Sequence, residues 1–366
     1  MKGATSAALQ RIRDDVRQMH AYKVQDAQGV IKLDAMENPY ELSAPLQQAL
    51  GDRLARLPVN RYPNAQRNLD LQHALAAHAQ LTPDQSVMLG NGSDELISLI
   101  VLACAKPGAV VMAPEPGFVM YGVSARLQGL QYVGVDLNAD FSLHVPAMVA
   151  AMRQHRPAVI FLANPNNPTA NLWAANDMRT LIAEARSIDS LVVIDEAYQP
   201  FASSTWLDEI RQHPHEHDHV VVIRTLSKFG LAGIRLGYLM GPHAWVQEFD
   251  KVRPPYNVSV LNAECALFAL EHASEFAEQA AHIRRDRQLL IRQLQEFAGV
   301  EVFDSEANMV LIRLARPDDV FESLKHAGVL VKNVSKMHPL LAGCLRLTVG
   351  TPNENQALLA ALKAAI

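Results

Sequence analysis

Cysteine is scarce in this chain. Three stand in 366 residues, Cys104, Cys265 and Cys344, far apart and among apolar neighbours. So sparse and odd a set excludes a disulfide framework and reads as buried, reduced thiols, hence a reducing, cytoplasmic setting. Positive charge is also short. Lys+Arg number 33 against Asp+Glu 38, a net charge of -5, which gives no electrostatic reason to expect a nucleic-acid partner. Long apolar runs are missing. The most apolar stretch, Leu96–Ala105, is about half of what a bilayer span needs, so no membrane partner is expected. The first twenty residues hold Arg11, Arg13, Asp14, Asp15 and Arg17 and no apolar core of a secretory signal. There is no internal repeat. The nearest thing to a biased tract is His213–His219, with histidine at every second position. That spacing matches no standard zinc pattern and is expected to be a solvated loop.

What is present is ordinary globular composition, 49% hydrophobic and 19% charged. At ~150 residues per domain the length suggests about two domains. From Gln85 to Gly241 short apolar runs alternate with helical patterns. Val159-Ile-Phe-Leu-Ala163, Leu191-Val-Val-Ile194 and Val220-Val-Val-Ile223 are unbroken rather than alternating, as strands buried on both faces are. This is the rhythm of a mostly parallel, doubly wound sheet. Arg253-Pro-Pro-Tyr256 breaks it. A helical stretch over roughly Asn262–Phe297 follows, then strands and helices mixed as in a smaller α+β domain, with strands expected at Val300–Phe303, Asn308–Arg313, Val329–Val331 and Leu345–Val349. The first ~40 residues read as an arm joining that domain.

Ligands of such sheets bind at the carboxyl ends of the strands, so the residues just after each apolar run carry the chemistry. They are Gly90-Asn-Gly-Ser-Asp-Glu95, Asn164-Pro-Asn-Asn-Pro-Thr169, Asp195-Glu-Ala-Tyr198 and Ser227-Lys228 through Arg235. Gly92-Ser93-Asp94 opens a helix. Its free N–H groups could hold a phosphate, or it is simply an N-cap. Asp195 could pair with a cationic ring nitrogen, or serve as a metal ligand or cap; the two readings weigh about equally. Asn164–Thr169 reads by itself as a turn. Most lysines are solvated surface groups. One at a strand end in a cleft can lose its charge by desolvation and attack a carbonyl, and Lys228 is followed by Gly230, Gly233 and Arg235. Arg235 and Ser227 suit a phosphate. Phosphate donors, a ring-nitrogen carboxylate and a carbonyl-trapping lysine together describe a pyridoxal 5′-phosphate (PLP) site.

Carried on these segments, and on Leu33–Pro39, Asn60–Pro63, Phe303–Glu306 and Leu345–Pro352, the chain resembles the fold type I PLP-dependent aminotransferases, and among them the histidinol-phosphate branch. The resemblance implies an α/β fold. A large domain over 43–253 would hold a mostly parallel seven-stranded sheet flanked by helices. Residues 1–42 and 254–366 would form an arm and a smaller α+β domain. It implies that Lys228 bonds PLP and then moves the proton between the substrate Cα and the cofactor C4′. Asp195 would hold the pyridine nitrogen protonated, and Asn167 and Tyr198 would bond the phenolic oxygen. Gly92, Ser93, Asp94, Ser227 and Arg235 would line the phosphate end, with Phe118 stacked on the ring. Tyr62 would reach the cofactor phosphate of a second copy, so a homodimer is implied.

For the substrate, the resemblance points to Tyr22, Asn167, Lys332 and Arg346. Arg346 matches the arginine that takes a substrate carboxylate. Lys332 stands where the family has a second, phosphate-binding arginine, and the loop from Lys332 to Arg346 is one residue longer, leaving Lys336 and His338 as further candidates. Ala170 stands where the family pattern has glycine. The implied substrates are histidinol phosphate and glutamate or 2-oxoglutarate. The alternatives are an aromatic aminotransferase and a PLP-dependent phospho-amino-acid decarboxylase. A PLP fold fused to a DNA-binding module would need more than the ~40 residues before the matched region. A dehydrogenase would need G-x-G-x-x-G where this chain has Gly90-Asn-Gly-Ser-Asp-Glu95.

Overall fold

The structure, a computed structural model, describes residues 7–19, 21 and 25–366. The N-terminal segment supplies a short strand, β1 (Ile31–Lys32). Seven strands then build the main sheet: β2 (Gln85–Gly90), β3 (Val110–Glu115), β4 (Gln131–Asp136), β5 (Val159–Ala163), β6 (Leu191–Asp195), β7 (Val220–Thr225) and β8 (Gly237–Pro242). Their order is β2-β8-β7-β6-β5-β3-β4. The pairs β3–β4, β3–β5, β5–β6 and β6–β7 are parallel, whereas β8 runs antiparallel to both β2 and β7.

The unbroken apolar runs are explained by burial on two faces. Along β5, Ile160 and Leu162 enter one core while Val159, Phe161 and Ala163 enter the other. Side chains alternate across a strand, so a run apolar at every position satisfies both faces. Each fully buried Val, Ile, Leu or Phe contributes roughly 1.5–3 kcal/mol. Helices such as Ser93–Ala103 and Ala175–Ser187 cover the sheet.

The smaller layer holds β9 (Glu301–Val302), β10 (Met309–Arg313), β11 (Val329–Leu330), β12 (Lys332–Asn333) and β13 (Cys344–Thr348). Four of these form an antiparallel sheet in the order β12-β13-β10-β9, while β1 pairs parallel with β11. Its core joins Leu33 and Met36 from the arm with Tyr198 and Ala170 from the main sheet's loops. The two layers therefore meet at the carboxyl ends of β5 and β6.

One expectation is corrected. The helical stretch over Asn262–Phe297 is two helices, Val260–Glu271 and Ala273–Gln295. His272 leaves helical geometry at φ -112 and ψ 30, with its ring packed 4.5 Å from Phe268. The first helix is buried continuously from Ala263 to Ala269, whereas the second buries a stripe. The break lets one run of sequence serve both environments. The expectation for His213–His219 holds except at two rings. His217 and His219 are buried, and their rings bond the carbonyls of His213 and Ile182 at 2.8 and 3.0 Å. The rest of the segment, His213–Glu216 and Asp218, is exposed around a short turn at Pro214–Glu216, as expected of a solvated loop.

Candidate active site

The register carries four strand ends to one place. Ala163 at the end of β5 lies opposite Asp195 at the end of β6, Asp195 lies opposite Ile223 in β7, and Gly237 lies opposite both Thr225 at the end of β7 and Gly90 at the end of β2. Around them opens a cavity of about 120 Å³ lined by Ser93, Asp94, Phe118, Asn167, Asp195, Tyr198, Ser227, Lys228 and Arg235, among others. It adjoins a larger one of about 610 Å³, which shares Met36, Asp94, Phe118 and Asn167 and adds Lys332 and Arg346. Most of the residues singled out in the sequence thus meet in two neighbouring cavities. Three do not line them. Gly92 stands just before Ser93, Tyr62 is exposed, and Tyr22 lies outside the described residues.

At one end the site is built for an anion. Gly92 precedes the helix Ser93–Ala103 with φ +85, and a Cβ there would stand 2.8 Å from the Arg235 guanidinium. On the other side, Gly237 brings its backbone so close to Gly92 and Ser93 that a Cβ would meet their main chain at 2.6 Å. The helix start offers unpaired N–H groups and the positive end of its dipole. Arg235 donates to the Ser227 hydroxyl at 3.1 Å and lies 3.7 Å from Asp94. Thr225 donates to the same hydroxyl at 3.0 Å and fixes it.

At the other end is Asp195. Both its oxygens are held: Tyr121 donates to Oδ2 at 2.8 Å and the Ala197 N–H to Oδ1 at 3.0 Å. Burial pushes the carboxyl up to about 6, and the Tyr121 and Ala197 bonds pull against that shift. Its chain neighbour Glu196 is neutralised elsewhere, by Arg224 at 2.8 Å, with Thr205 and the Trp206 N–H completing a buried network. The two adjacent carboxyls therefore have different work. Glu196 ties strands to a helix, while Asp195 faces the cavity.

Lys228 sits between these ends. Its amine donates to the Ala35 carbonyl at 2.8 Å. Burial, with the Arg346 charge next in weight, brings it down to about 8. A lysine so shifted is about one-tenth neutral at pH 7, far more than an ordinary lysine, and can act as nucleophile or base. Along the edge, Asn167 donates to the Tyr198 hydroxyl at 2.9 Å and accepts from Arg346 at 2.7 Å. Burial raises the Tyr198 hydroxyl well above its usual range, so it stays a hydrogen-bond donor.

Arg346 also donates to the Asp34 carbonyl at 2.7 Å. In the β12–β13 ladder Lys332 is the direct partner of Arg346, so the two cations stand on one face. Lys336 is engaged elsewhere, with Asp318 at 2.7 Å, and His338 faces Asp136 at 3.3 Å. Ala170 has φ 65. A left-handed alanine costs roughly 1–2 kcal/mol. Glycine there would forfeit a fully buried methyl worth about 0.8 kcal/mol and add about 0.5–1 kcal/mol of chain entropy, so the two residues are nearly equivalent.

Three contributors were not read from the sequence. The Ala35 and Asp34 carbonyls are backbone groups, which carry no side-chain signal. Tyr121 had a weak one: it is a second aromatic close after Phe118, on the helix that begins at Met120.

The site fits PLP: an anion cradle at one end, a carboxylate at the other, a lysine between and an aromatic wall. The comparisons with known proteins agree. The profile of the class I and II aminotransferases matches residues 28–362, and the chain belongs to that family. Within it, the chain is similar to proteins named histidinol-phosphate aminotransferase. That of Methylibium petroleiphilum is 60% identical over 96% of this chain and 94% of its own length, and that of Paracidovorax citrulli is 58% identical over the whole of both. Among solved structures, the histidinol-phosphate aminotransferase of Sinorhizobium meliloti in complex with pyridoxal-5′-phosphate superposes with a TM-score of 0.83 over 100% of this chain and 99% of its own, at 23% identity. The L-threonine-O-3-phosphate decarboxylase of Porphyromonas gingivalis gives 0.77 over 92% and 99%, at 21%. Fold alone does not separate transamination from decarboxylation; the sequence relatives do.

Proposed function

We propose that this chain is a PLP-dependent transaminase that moves the amino group between L-histidinol phosphate and 2-oxoglutarate, giving imidazole acetol phosphate and glutamate, in histidine biosynthesis. The observation that carries the substrate assignment is the register pair Lys332 and Arg346, two cations beside one cavity, next to the cavity that holds Lys228. Histidinol phosphate carries a phosphate where amino acids carry a carboxylate. One cationic wall can then accept the phosphate in one half-reaction and the glutamate carboxylate in the other, as a ping-pong cycle in one pocket requires.

PLP, when bound, supplies an electron sink beside the substrate Cα. The chain supplies the rest. The backbone N–H groups of Ser93 and Asp94 after Gly92, with the Ser227 hydroxyl and Arg235, would hold the phosphate. Asp195 keeps the ring nitrogen protonated, and Asn167 and Tyr198 donate to the phenolic oxygen. Phe118 walls the ring. Lys228 would hold the cofactor, and its amine, once released by the incoming substrate amine, would carry the proton between the substrate Cα and C4′. Tyr22 contacts the substrate in this reading. Residues 43–253 act as the cofactor unit, while 1–42 and 254–366 bring Lys332 and Arg346.

Purified protein is expected to show a visible absorbance that borohydride removes. In single-turnover measurements the PLP form should react faster with histidinol phosphate than with phenylalanine, and release no carbon dioxide from phosphothreonine. Faster reaction with phenylalanine would reject the substrate; carbon dioxide release would favour the decarboxylase.

The working unit is a homodimer in this reading. Tyr62 and Tyr256 stack at 4.4 Å yet are 76% and 55% exposed. So large an aromatic pair on the surface is unusual in a monomer. Mixing Tyr62→Phe and Lys228→Ala chains should restore part of the activity missing in each parent, because one of the two sites in a mixed dimer would have both groups intact. No recovery after verified exchange would count against a shared site. The three cysteines are free, consistent with a reducing, cytoplasmic setting. No described helix is long and apolar enough to cross a membrane.

A further inference from the structure

We propose that Tyr121 is a positioning residue for the cofactor ring, setting through one side chain both the carboxylate at the ring nitrogen and the aromatic wall on the ring face. The inference rests on the PLP reading above and adds a residue to it.

Tyr121 is buried and on the helix Met120–Leu127. Its ring is fixed from two sides. It lies parallel to Phe161 of β5, with centroids 4.5 Å apart and planes 6° from each other. It meets Phe118 edge-on, at 5.6 Å and 84°. Phe118 and Tyr121 are therefore in edge-to-face contact, in the geometry aromatic pairs prefer. The hydroxyl at the far end of the Tyr121 ring donates to Asp195 Oδ2 at 2.8 Å. The hydroxyl lies on the long axis of the ring, and the stack on Phe161 holds the ring plane, so one packed side chain carries both contacts.

The electrostatics give the contact a purpose. Asp195 is buried, and burial favours its protonated, neutral form. The groups that act on it besides Tyr121 are the Ala197 N–H, which favours the carboxylate, and the Asp94 and Glu196 charges, which oppose it. Of the two hydrogen bonds, the one from Tyr121 has the larger effect. Tyr121 itself stays a donor, since burial and Asp195 both raise its hydroxyl far above neutral pH. A carboxylate that must hold a ring nitrogen protonated has to be ionised. Tyr121 keeps it so, and leaves the second lone pairs of both oxygens for the ring N–H.

The test is PLP binding to apoprotein, read by equilibrium dialysis at pH 6 and pH 8, for the unsubstituted chain, Tyr121→Phe, Asp195→Asn and the double variant. Tyr121→Phe keeps both ring contacts and removes only the donor. Its PLP dissociation constant is expected to rise roughly tenfold, as for one hydrogen bond to a charged group. The rise should be larger at pH 6 than at pH 8, because loss of the donor moves Asp195 further toward its protonated form. In the Asp195→Asn background the same substitution should add less than about twofold, the signature of a residue acting through its partner. An unchanged dissociation constant at both pH values, an undiminished effect in the Asp195→Asn background, or a Tyr121→Phe chain that does not fold would each overturn the proposal. An unsubstituted chain that takes up no PLP would instead overturn the functional reading itself.

Discussion

Lys228→Ala is expected to lose turnover by about 10³-fold or more, the scale of a positioned general base together with covalent anchoring. The variant should still take up PLP, because the phosphate end and Asp195 are untouched. Borohydride followed by mass measurement would separate the two effects: the unsubstituted chain should retain the added mass of the cofactor, and the variant should not. The amine's shift to about 8 adds a pH signature. Only neutral amine attacks a carbonyl, so the rate at which apoprotein captures PLP should fall about tenfold per unit as pH drops below that value. A Lys228→Ala chain that completes turnover, or a capture rate flat from pH 6 to 8, would contradict the role given to Lys228.

Arg346→Ala is expected to lower kcat/KM for both histidinol phosphate and glutamate by 10²-fold or more. Truncating one partner of a buried, hydrogen-bonded charge pair costs about 2–5 kcal/mol. The loss should extend beyond binding. Arg346 also donates to Asn167, which in turn bonds Tyr198, so its removal loosens the edge that holds the phenolic oxygen. Lys332→Ala should cost less, because Lys332 offers a point charge and Arg346 a fork. Steady-state kinetics with each substrate in turn would check this; an Arg346→Ala enzyme within fivefold on both would rule out the shared cationic wall.

Much of this was legible in the sequence, for a definite reason. The strands of the main sheet are buried on both faces, so they read as unbroken apolar runs, and their ends mark the polar residues that matter. Asp195 and Ser227-Lys228 stand out in this way. Gly92 and Gly237 read less clearly, because what they do is leave room for Arg235 and for each other's backbone. The smaller layer was harder. Its strands β11 and β12 are two residues each, and nothing in Val329-Leu-Val-Lys-Asn333 says that one pairs with the arm and the other with β13. The break at His272 was hidden because apolar spacing continues through it. Tyr121 was hidden because an aromatic in an apolar helix reads first as packing, which it also is.

The arm has a bearing on how the chain is made. Residues 31–36 are laced to the smaller layer: Leu33 bonds Leu330, Thr348 bonds Leu33, and Asn308 bonds the Met36 carbonyl. Between these ties, the Asp34 carbonyl receives Arg346 across a separation of 312 residues, and the Ala35 carbonyl receives Lys228. During synthesis the seven strands of the main sheet are all out of the ribosome long before β13. The strand ends that line the smaller cavity thus precede Arg346 in synthesis by about a hundred residues. Contacts that span nearly a whole chain are slow to form, so on the role proposed for Arg346 substrate recognition is expected to be among the last properties acquired on folding.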